Sequence, residues 1–415
     1  MGMSDIHFPA DGLPTPPTRA ELKRTPAAFR AFLDLAGRNW AEGVLEIVTP
    51  EGRRVDITGR AAGPRGSLVI KNYSFVRRIF SGGAVGFAEG WMAGEWDTPD
   101  MSRLLEVLSR NYDRLRELVD GNPVVRFANR VAHLLNHNSK AGSRRNIHAH
   151  YDLGNDFYAK WLDRTMSYSS AVFERPGQDL AEAQEAKYRT LARRIGLQAG
   201  QSVLEIGCGW GGFAEFAARE VGATVTGITI SQAQHDYAKA RLFAAGLADK
   251  ADIRLIDYRD VAGRFDRVAS IEMFEAVGEA WWPTYFNKVH DVLEPGGRAG
   301  LQIITIQDEL FDEYRRTPDF IQKYVFPGGV LPSEKRLREE TARAALDWTS
   351  IDRFGQAYAE TCADWGRRFQ AAWEEIKTLG FDERFRRLWT FYLSYCEAGF
   401  RTGRTDVIQL VLTRS

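Results

Sequence analysis

Cysteine is scarce: three residues, Cys208, Cys362 and Cys396, in 415. None forms a C-x-x-C pair, so neither a disulfide framework nor a zinc site is expected, and the compartment reads as reducing. Long apolar runs are also missing. No stretch approaches the ~18 consecutive apolar residues that span a bilayer. The opening MGMSDIHFPADGLPTPP lacks a basic region followed by an apolar one, so no secretory signal is expected. Charge of one sign is absent too: 55 Lys and Arg stand against 55 Asp and Glu. That balance argues against nucleic acid as the main partner, while leaving room for a local basic patch at a membrane surface.

What is present describes a globular chain. The hydrophobic fraction is 44% and the charged fraction 27%, and the length allows two domains. Residues 1–20 are rich in Pro and Gly and read as a loose arm. GVLEIVTPEGRRVDITG carries two alternating runs around Pro50-Glu51-Gly52, a hairpin signal. Residues 81–98, with five glycines and two tryptophans, read as compact turns. Residues 101–118 have helical spacing. The polar segment 135–146 is the expected linker. This divides the chain into an arm (1–20), a small α+β domain (21–135) and a catalytic domain (136–415). Beyond residue 180 strands alternate with helices, which means a doubly wound, Rossmann-like α/β sheet. Ser231 is a good N-cap within it.

The first strand of that half runs into VLEIGCGWGGF, 203–213. Gly207, Gly209 and Gly212 satisfy the dinucleotide pattern G-x-G-x-x-G; Gly207, Gly209 and Gly211 satisfy G-x-G-x-G after an acid, which suits S-adenosylmethionine. Glycines of either pattern bring backbone N–H groups close to a ligand and do not choose between cofactors. A dinucleotide site calls for an acid about 20 residues on, at the end of the second strand. Here that strand ends GITIS, with Thr229 and no acid. At the next strand end LIDYRD offers Asp257 and Tyr258 to edge and stack an adenine. The combination, with Glu205 in the first strand, favours S-adenosylmethionine over NAD.

More separated motifs carry a resemblance. HYDLGNDFYAKWLDRTMSYSSAVF (150–173), LEIGCGWGGFAEFAA, GITIS-x-x-Q, IEMFEAVG, KYVFPGG-x-LPS and YCEAGFRTGRTDVIQLVLTR occur in order over roughly 140–415. Together they resemble the cyclopropane-fatty-acid-phospholipid synthases, and GWMAGEWDTPDM resembles their N-terminal domain. The resemblance implies a Rossmann-like methyltransferase domain with a lipid-binding lid. It also implies methyl transfer from S-adenosylmethionine to the double bonds of unsaturated phospholipid acyl chains. Its cofactor contacts would be Tyr168 and Ser169 at the methionine end and Gly207, Gly209 and Gly211 along the backbone. Thr229 and Gln234 would lie near the ribose, and Asp257, Tyr258 and Ile271 around the adenine. Thr229 and Gln234 as caps, and Ile271 as plain core, are the bland alternatives.

Transfer to an alkene leaves a carbocation, which aromatic faces stabilise; Tyr151, Phe173, Phe274, Tyr324 and Tyr358 are candidates. A base must then remove a proton. The resemblance implies a bound bicarbonate held by a Cys, a Glu, a His, an Ile backbone group and a Tyr. Glu275, Ile304 and Tyr358 match; the Cys is Ser170 here and the His is Gln302. Both replacements still offer a donor, so an anion could bind, but Gln cannot change charge. Ring closure to a cyclopropane and proton loss from the chain to a methyl-branched alkene therefore both stay open. Residues 311–316 and 323–333 are placed to form the lid. Arg77–Phe80 and 143–146 are short basic clusters that could meet headgroups. The expected setting is a cytoplasmic homodimer, peripheral at the inner face of the membrane, with no metal. A dehydrogenase and a non-catalytic lipid-binding protein are the readings from other classes.

Overall fold

The computed structural model describes residues 25–115 and 153–415. The chain divides into two compact units, 1–121 and 122–415. That division falls upstream of the expected break after 135. The arm 1–20, the linker 135–146, the cluster 143–146 and Tyr151 lie outside the described residues.

In the first unit a four-stranded sheet has the order β2-β1-β3-β4. Strand β1 (Glu42–Val48) pairs antiparallel with β2 (Arg54–Thr58) across the Pro50-Glu51-Gly52 turn, as the alternation predicts, and parallel with β3 (Ala61–Ile70). β4 is the pair Trp96–Asp97. Helices α1 (Ala27–Asn39), α2 (Ser74–Met92) and α3 (Met101–Asn111) complete the unit. Asp100 caps α3 by accepting from the Arg103 N–H at 2.9 Å. At its other end the Asn111 amide takes the N–H groups of Ala41 and Glu42 and donates to the Glu42 carbonyl. This side chain satisfies backbone that the sheet leaves unpaired.

The expectation of turns over 81–98 is corrected: most of that stretch belongs to α2. Three of its four glycines serve one kink and two close approaches. Gly83 adopts φ 57° and breaks the helix. A Cβ on Gly86 would lie 2.0 Å from the Arg78 carbonyl oxygen, and one on Gly90 would press on the Trp96 ring.

The second unit holds a seven-stranded sheet, order β10-β11-β9-β8-β5-β6-β7. Strands β5 (Ser202–Ile206), β6 (Thr224–Thr229), β7 (Ala251–Leu255), β8 (Phe265–Ile271) and β9 (Leu293–Ile306) run parallel. β11 (Thr405–Arg414) returns antiparallel beside β9, and β10 (Leu346–Arg353) pairs antiparallel with β11. The pleat turns alternate side chains of β5 to opposite faces. Val203 joins the cluster of Leu191, Phe213 and Val225. Leu204 and Ile206 join Val268, Trp282, Tyr285 and Phe286. Helices cover both faces, which makes the sheet doubly wound. α5 (Leu180–Arg194), α6 (Gly212–Phe216) and α7 (Gln232–Ala244) carry side chains of the first cluster; α8 (Trp282–Val292) carries those of the second. Burying a side chain such as Phe286 contributes about 1.5–3 kcal/mol.

Because β5 is flanked by β6 on one side and β8 on the other, the strand order reverses at its carboxyl end. Ligands of open α/β sheets bind at such a switch point. β9 leads into α9 (Asp308–Tyr314) and α10 (Phe320–Tyr324). Asp319 forms a capping box with Gln322 at the start of α10. The loop 325–333 that follows is stitched to the sheet. The Val330 N–H donates to the Glu275 carbonyl, and the Ile306 N–H to the Pro332 carbonyl, both at 3.0 Å.

Candidate active site

The turn after β5 is built from left-handed glycines: Gly207 at φ 81°, Gly209 at φ 51° and Gly211 at φ 82°. Gly207 packs on Met273, where a Cβ would come within 2.5 Å of its Cγ. Gly209 differs: among the described residues nothing lies within 4 Å of where its Cβ would sit. Glu205, one residue inside the strand end, is 3% exposed, and its Oε2 has no hydrogen-bond donor among the described residues. Burial pushes its carboxyl well above the usual range. An open backbone and an unmet buried acceptor at the switch point fit a polar ligand with donors, as the aminoacyl cofactor has.

The other sequence candidates for that cofactor sit at neighbouring positions with partners of their own. Tyr168 shares a 2.7 Å hydroxyl contact with Tyr392. The Ser169 hydroxyl accepts from Lys187 Nζ at 2.6 Å. Thr229 donates to Gln234 and accepts from the Ser231 N–H, while Ser231 caps α7. These bonds are what capping requires, and they leave Gln234 its amide donors. Asp257 accepts from the Arg259 guanidinium through both oxygens. The Tyr258 ring lies edge-on to Tyr285. Ile271 ends β8 and packs, partly buried, on the cluster under β5.

Helices α4 (Asn155–Trp161), α11 (Glu334–Arg343), α12 (Gly355–Ala371), α13 (Trp373–Thr378) and α14 (Glu383–Arg401) complete the unit. Tyr168 stands edge-on to Trp161 and tilted against Trp365. Of the candidates for cation stabilisation, Tyr358 stacks on Phe400 at 4.2 Å. Phe274 is 1% exposed and packed among Trp282, Tyr285 and Phe286. Its ring is core, and that removes it from the candidates. Phe173 and Tyr324 are half-buried.

At the end of β8 two carboxyls stand three residues apart, and the register brings their partners to them. Ile271 pairs with Gln302, and Gln302 with Gln409. Glu272 Oε1 accepts from the Ser170 N–H at 2.8 Å and from Gln302 Nε2 at 2.8 Å. Its Oε2 accepts from the Tyr358 hydroxyl at 2.5 Å. Gln302 is oriented in turn, because its Oε1 accepts from Gln409 Nε2 at 3.1 Å. Glu275 Oε1 accepts from the Ile304 N–H at 2.6 Å, and its buried Oε2 has no partner among the described residues. Burial raises both carboxyls. Tyr358, Gln302 and Ser170 pull Glu272 back, whereas the neighbouring Glu272 charge adds to the rise of Glu275, which reaches about 8. The three donors at Glu272 favour its charged form against burial, whereas Glu275, with one donor, is left protonated near neutral pH.

This geometry departs from the bicarbonate cradle that the resemblance implies. Ser170 contributes its N–H, while its hydroxyl turns to the Ala171 carbonyl. The donors of Ser170, Gln302 and Tyr358 serve Glu272, and that of Ile304 serves Glu275. All four donors already bond the chain's own carboxyls, so a separate anion does not fit.

Two residues escaped the sequence reading. Glu272 lies in the quoted IEMFEAVG, but only its second acid was taken. The signal was its place immediately after a strand end. Lys187 lies on helix α5, and nothing in the motifs singles it out. It follows Ala183 and precedes Leu191 by one turn each, both buried, so it points inward on α5. It is fully buried, and it donates to Gln184 as well as Ser169. Burial lowers it to about 8, and attraction to Glu272, Asp163 and Glu205 opposes that drop.

The sequence profile for mycolic acid cyclopropane synthetase matches residues 138–410. A tuberculostearic acid methyltransferase of Mycobacterium tuberculosis is 41% identical over 413 residues, covering 96% of this chain and 95% of the relative. The cyclopropane-fatty-acyl-phospholipid synthase of Escherichia coli K12 is 34% identical, covering 91% and 94%. Among solved structures, a mycolic acid cyclopropane synthase complexed with SAH and CTAB aligns with a TM-score of 0.62 at 30% identity, over 65% of this chain and 98% of that one.

Proposed function

From the premise that this chain belongs to the cyclopropane synthase family of S-adenosylmethionine-dependent lipid methyltransferases, we propose that it converts the double bond of unsaturated acyl chains in membrane phospholipid to a cyclopropane. Methyl transfer to unsaturated acyl chains is the activity of the family; the ring and the phospholipid carrier are the finer reading. The observation that carries it is the pair of unlike carboxyls at the end of β8. Glu272 is held by three donors and Glu275 by one, beside the glycine turn of β5, where Met273 packs on Gly207. A cation on a hydrocarbon chain needs a nearby base in a dry setting. Glu272 keeps a carboxylate where the resemblance expects an anion, so the loss of the Cys and the His is compensated.

When bound, S-adenosylmethionine supplies an electrophilic methyl group on a sulfonium. Tyr168, Ser169, the turn Gly207–Gly211, Thr229, Gln234, Asp257, Tyr258 and Ile271 are the residues we assign to hold it. Tyr358 offers a ring face to the cation and fixes Glu272 through its hydroxyl. The segments 311–316 and 323–333 exclude water as a lid. No helix of the described residues is long and apolar enough to cross a membrane. We place the enzyme at the inner face of the membrane as a peripheral homodimer, with the first unit serving contact and dimerisation.

A second reading has its own support. The 41% identity along nearly the whole chain is to a tuberculostearic acid methyltransferase, which favours proton loss from the chain and a methyl-branched alkene. Proton NMR of lipid recovered from monounsaturated phospholipid vesicles treated with enzyme and S-adenosylmethionine separates the two. Mass does not, because both products add one CH2. Upfield ring protons support the first reading; a vinylic proton beside a new methyl replaces it with the second. No product from a monoene or a diene overturns both.

A further inference from the structure

We infer that Glu272 is a built-in base, which takes the proton from the methylated acyl cation and makes a free anion unnecessary. The inference rests on the acyl-chain reading above. Three observations carry it. First, Ser170 N–H, Gln302 Nε2 and Tyr358 OH converge on one carboxylate from three elements that are distant in sequence. Such a set of donors holds a carboxylate ionised and in one orientation. Second, Glu272 takes φ 49°, a left-handed conformation that an L side chain rarely adopts. Strain of this kind persists where surrounding structure imposes it. Here the Glu272 N–H is tied to the Gln302 carbonyl at 2.8 Å. The same glutamine thus grips both the backbone and the carboxylate. Third, buried Lys187 stands as a countercharge behind Ser169.

The chemistry balances without another reactant. The alkene π pair forms a bond to the methyl carbon as the C–S bond breaks, and that pair stays on sulfur. The positive charge moves to the second alkene carbon. The electron pair of one C–H bond of the new methyl closes the ring, and its proton passes to Glu272. Among the described residues Oε2 has one donor, against two at Oε1, and so keeps a lone pair for it. The neutral Glu272 then returns the proton to solvent. If the C–H bond lies on the chain instead, the same base gives the branched alkene.

The test compares wild type, Glu272→Gln and Glu272→Gly on vesicles of monounsaturated phosphatidylglycerol, in CO2-stripped buffer with and without added bicarbonate. Wild type is expected to work equally well in both. Glu272→Gln should lose about 10²–10⁴-fold in kcat, the usual worth of a general base. Glu272→Gly suits the left-handed backbone, so it should fold, lose activity, and regain at least about tenfold with bicarbonate or acetate. Melting temperatures give a reading that does not need turnover: bicarbonate should raise that of Glu272→Gly and leave wild type unmoved. A wild type that needs bicarbonate or is stabilised by it overturns the inference. So does a folded Glu272→Gln within about tenfold of wild type, or a folded Glu272→Gly that bicarbonate does not rescue. A wild type that methylates no lipid sinks the acyl-chain reading instead, and the melting series still judges Glu272.

Discussion

Glu275 holds a proton in the folded enzyme at a pH where the unfolded chain has released it. Its pKa stands at about 8, against 4.5 for the free group. Between those values the native state binds more protons than the unfolded state, so stability falls as pH rises through that window. A glutamine at this position keeps an acceptor for the Ile304 N–H and carries no charge. The difference in melting temperature between Glu275→Gln and wild type should therefore favour the variant at pH 8 and shrink toward pH 5; a difference that grows toward acid would refute the assignment. Lys187 has a separate signature. Without its positive charge Glu272 is harder to ionise, so Lys187→Met should move the acid limb of the kcat profile to higher pH. A purely structural lysine would lower the plateau without moving the limb.

At the scale of elements, two glycines decide how tightly neighbours approach. A Cβ on Gly212 would meet the Tyr188 hydroxyl at 2.4 Å, where α6 leaves the cofactor turn over α5. Gly212→Ala should destabilise by about 1–3 kcal/mol and weaken S-adenosylmethionine binding, as calorimetry would show. Gly86 meets backbone rather than a side chain, and the Arg78 carbonyl cannot swing aside. Gly86→Ala should therefore lower the stability of the first unit by a similar amount in a denaturant titration, while cofactor affinity stays unchanged. The same elements explain a misreading. Five glycines in 81–98 look like turn residues, yet three of them serve α2, as a kink at Gly83 and close packing at Gly86 and Gly90. Composition cannot separate a glycine used for its φ from one used for its missing side chain.

For the molecule as a whole, the switch point at β5 sets what ligand the enzyme accepts. A ligand that binds only the native state stabilises it by about 2.7 kcal/mol at a hundredfold excess over Kd. S-adenosylmethionine should therefore raise the melting temperature, and NADH should not; the reverse result would restore the dehydrogenase reading. The balance of 55 positive and 55 negative side chains makes no strong field for anionic membranes. In the first unit, Arg78 of the 77–80 cluster is already engaged by Glu95 at 2.9 Å. Any attraction to headgroups rests on a local patch, so sedimentation with anionic vesicles should weaken with salt only modestly.

Local pattern was enough to determine the alternation of strands and helices beyond residue 180, the hairpin at 42–58, the Ser231 cap and the glycine turn; it favoured S-adenosylmethionine over NAD, and the resemblance carried that choice. Each rests on residues close in sequence, where periodicity and backbone sterics act directly. Glu275, Ile304 and Tyr358 were legible only through a resemblance. The tertiary structure alone decided which carboxylate the donors serve. Ser170, Gln302 and Tyr358 come from a loop, a strand and a helix, and only the β8–β9–β11 register and the packing of α12 bring them to Glu272. It also decided that Lys187 points inward and that Phe274 is core. Burial and hydrogen bonding are properties of the assembled fold, and a carboxylate's charge follows from both.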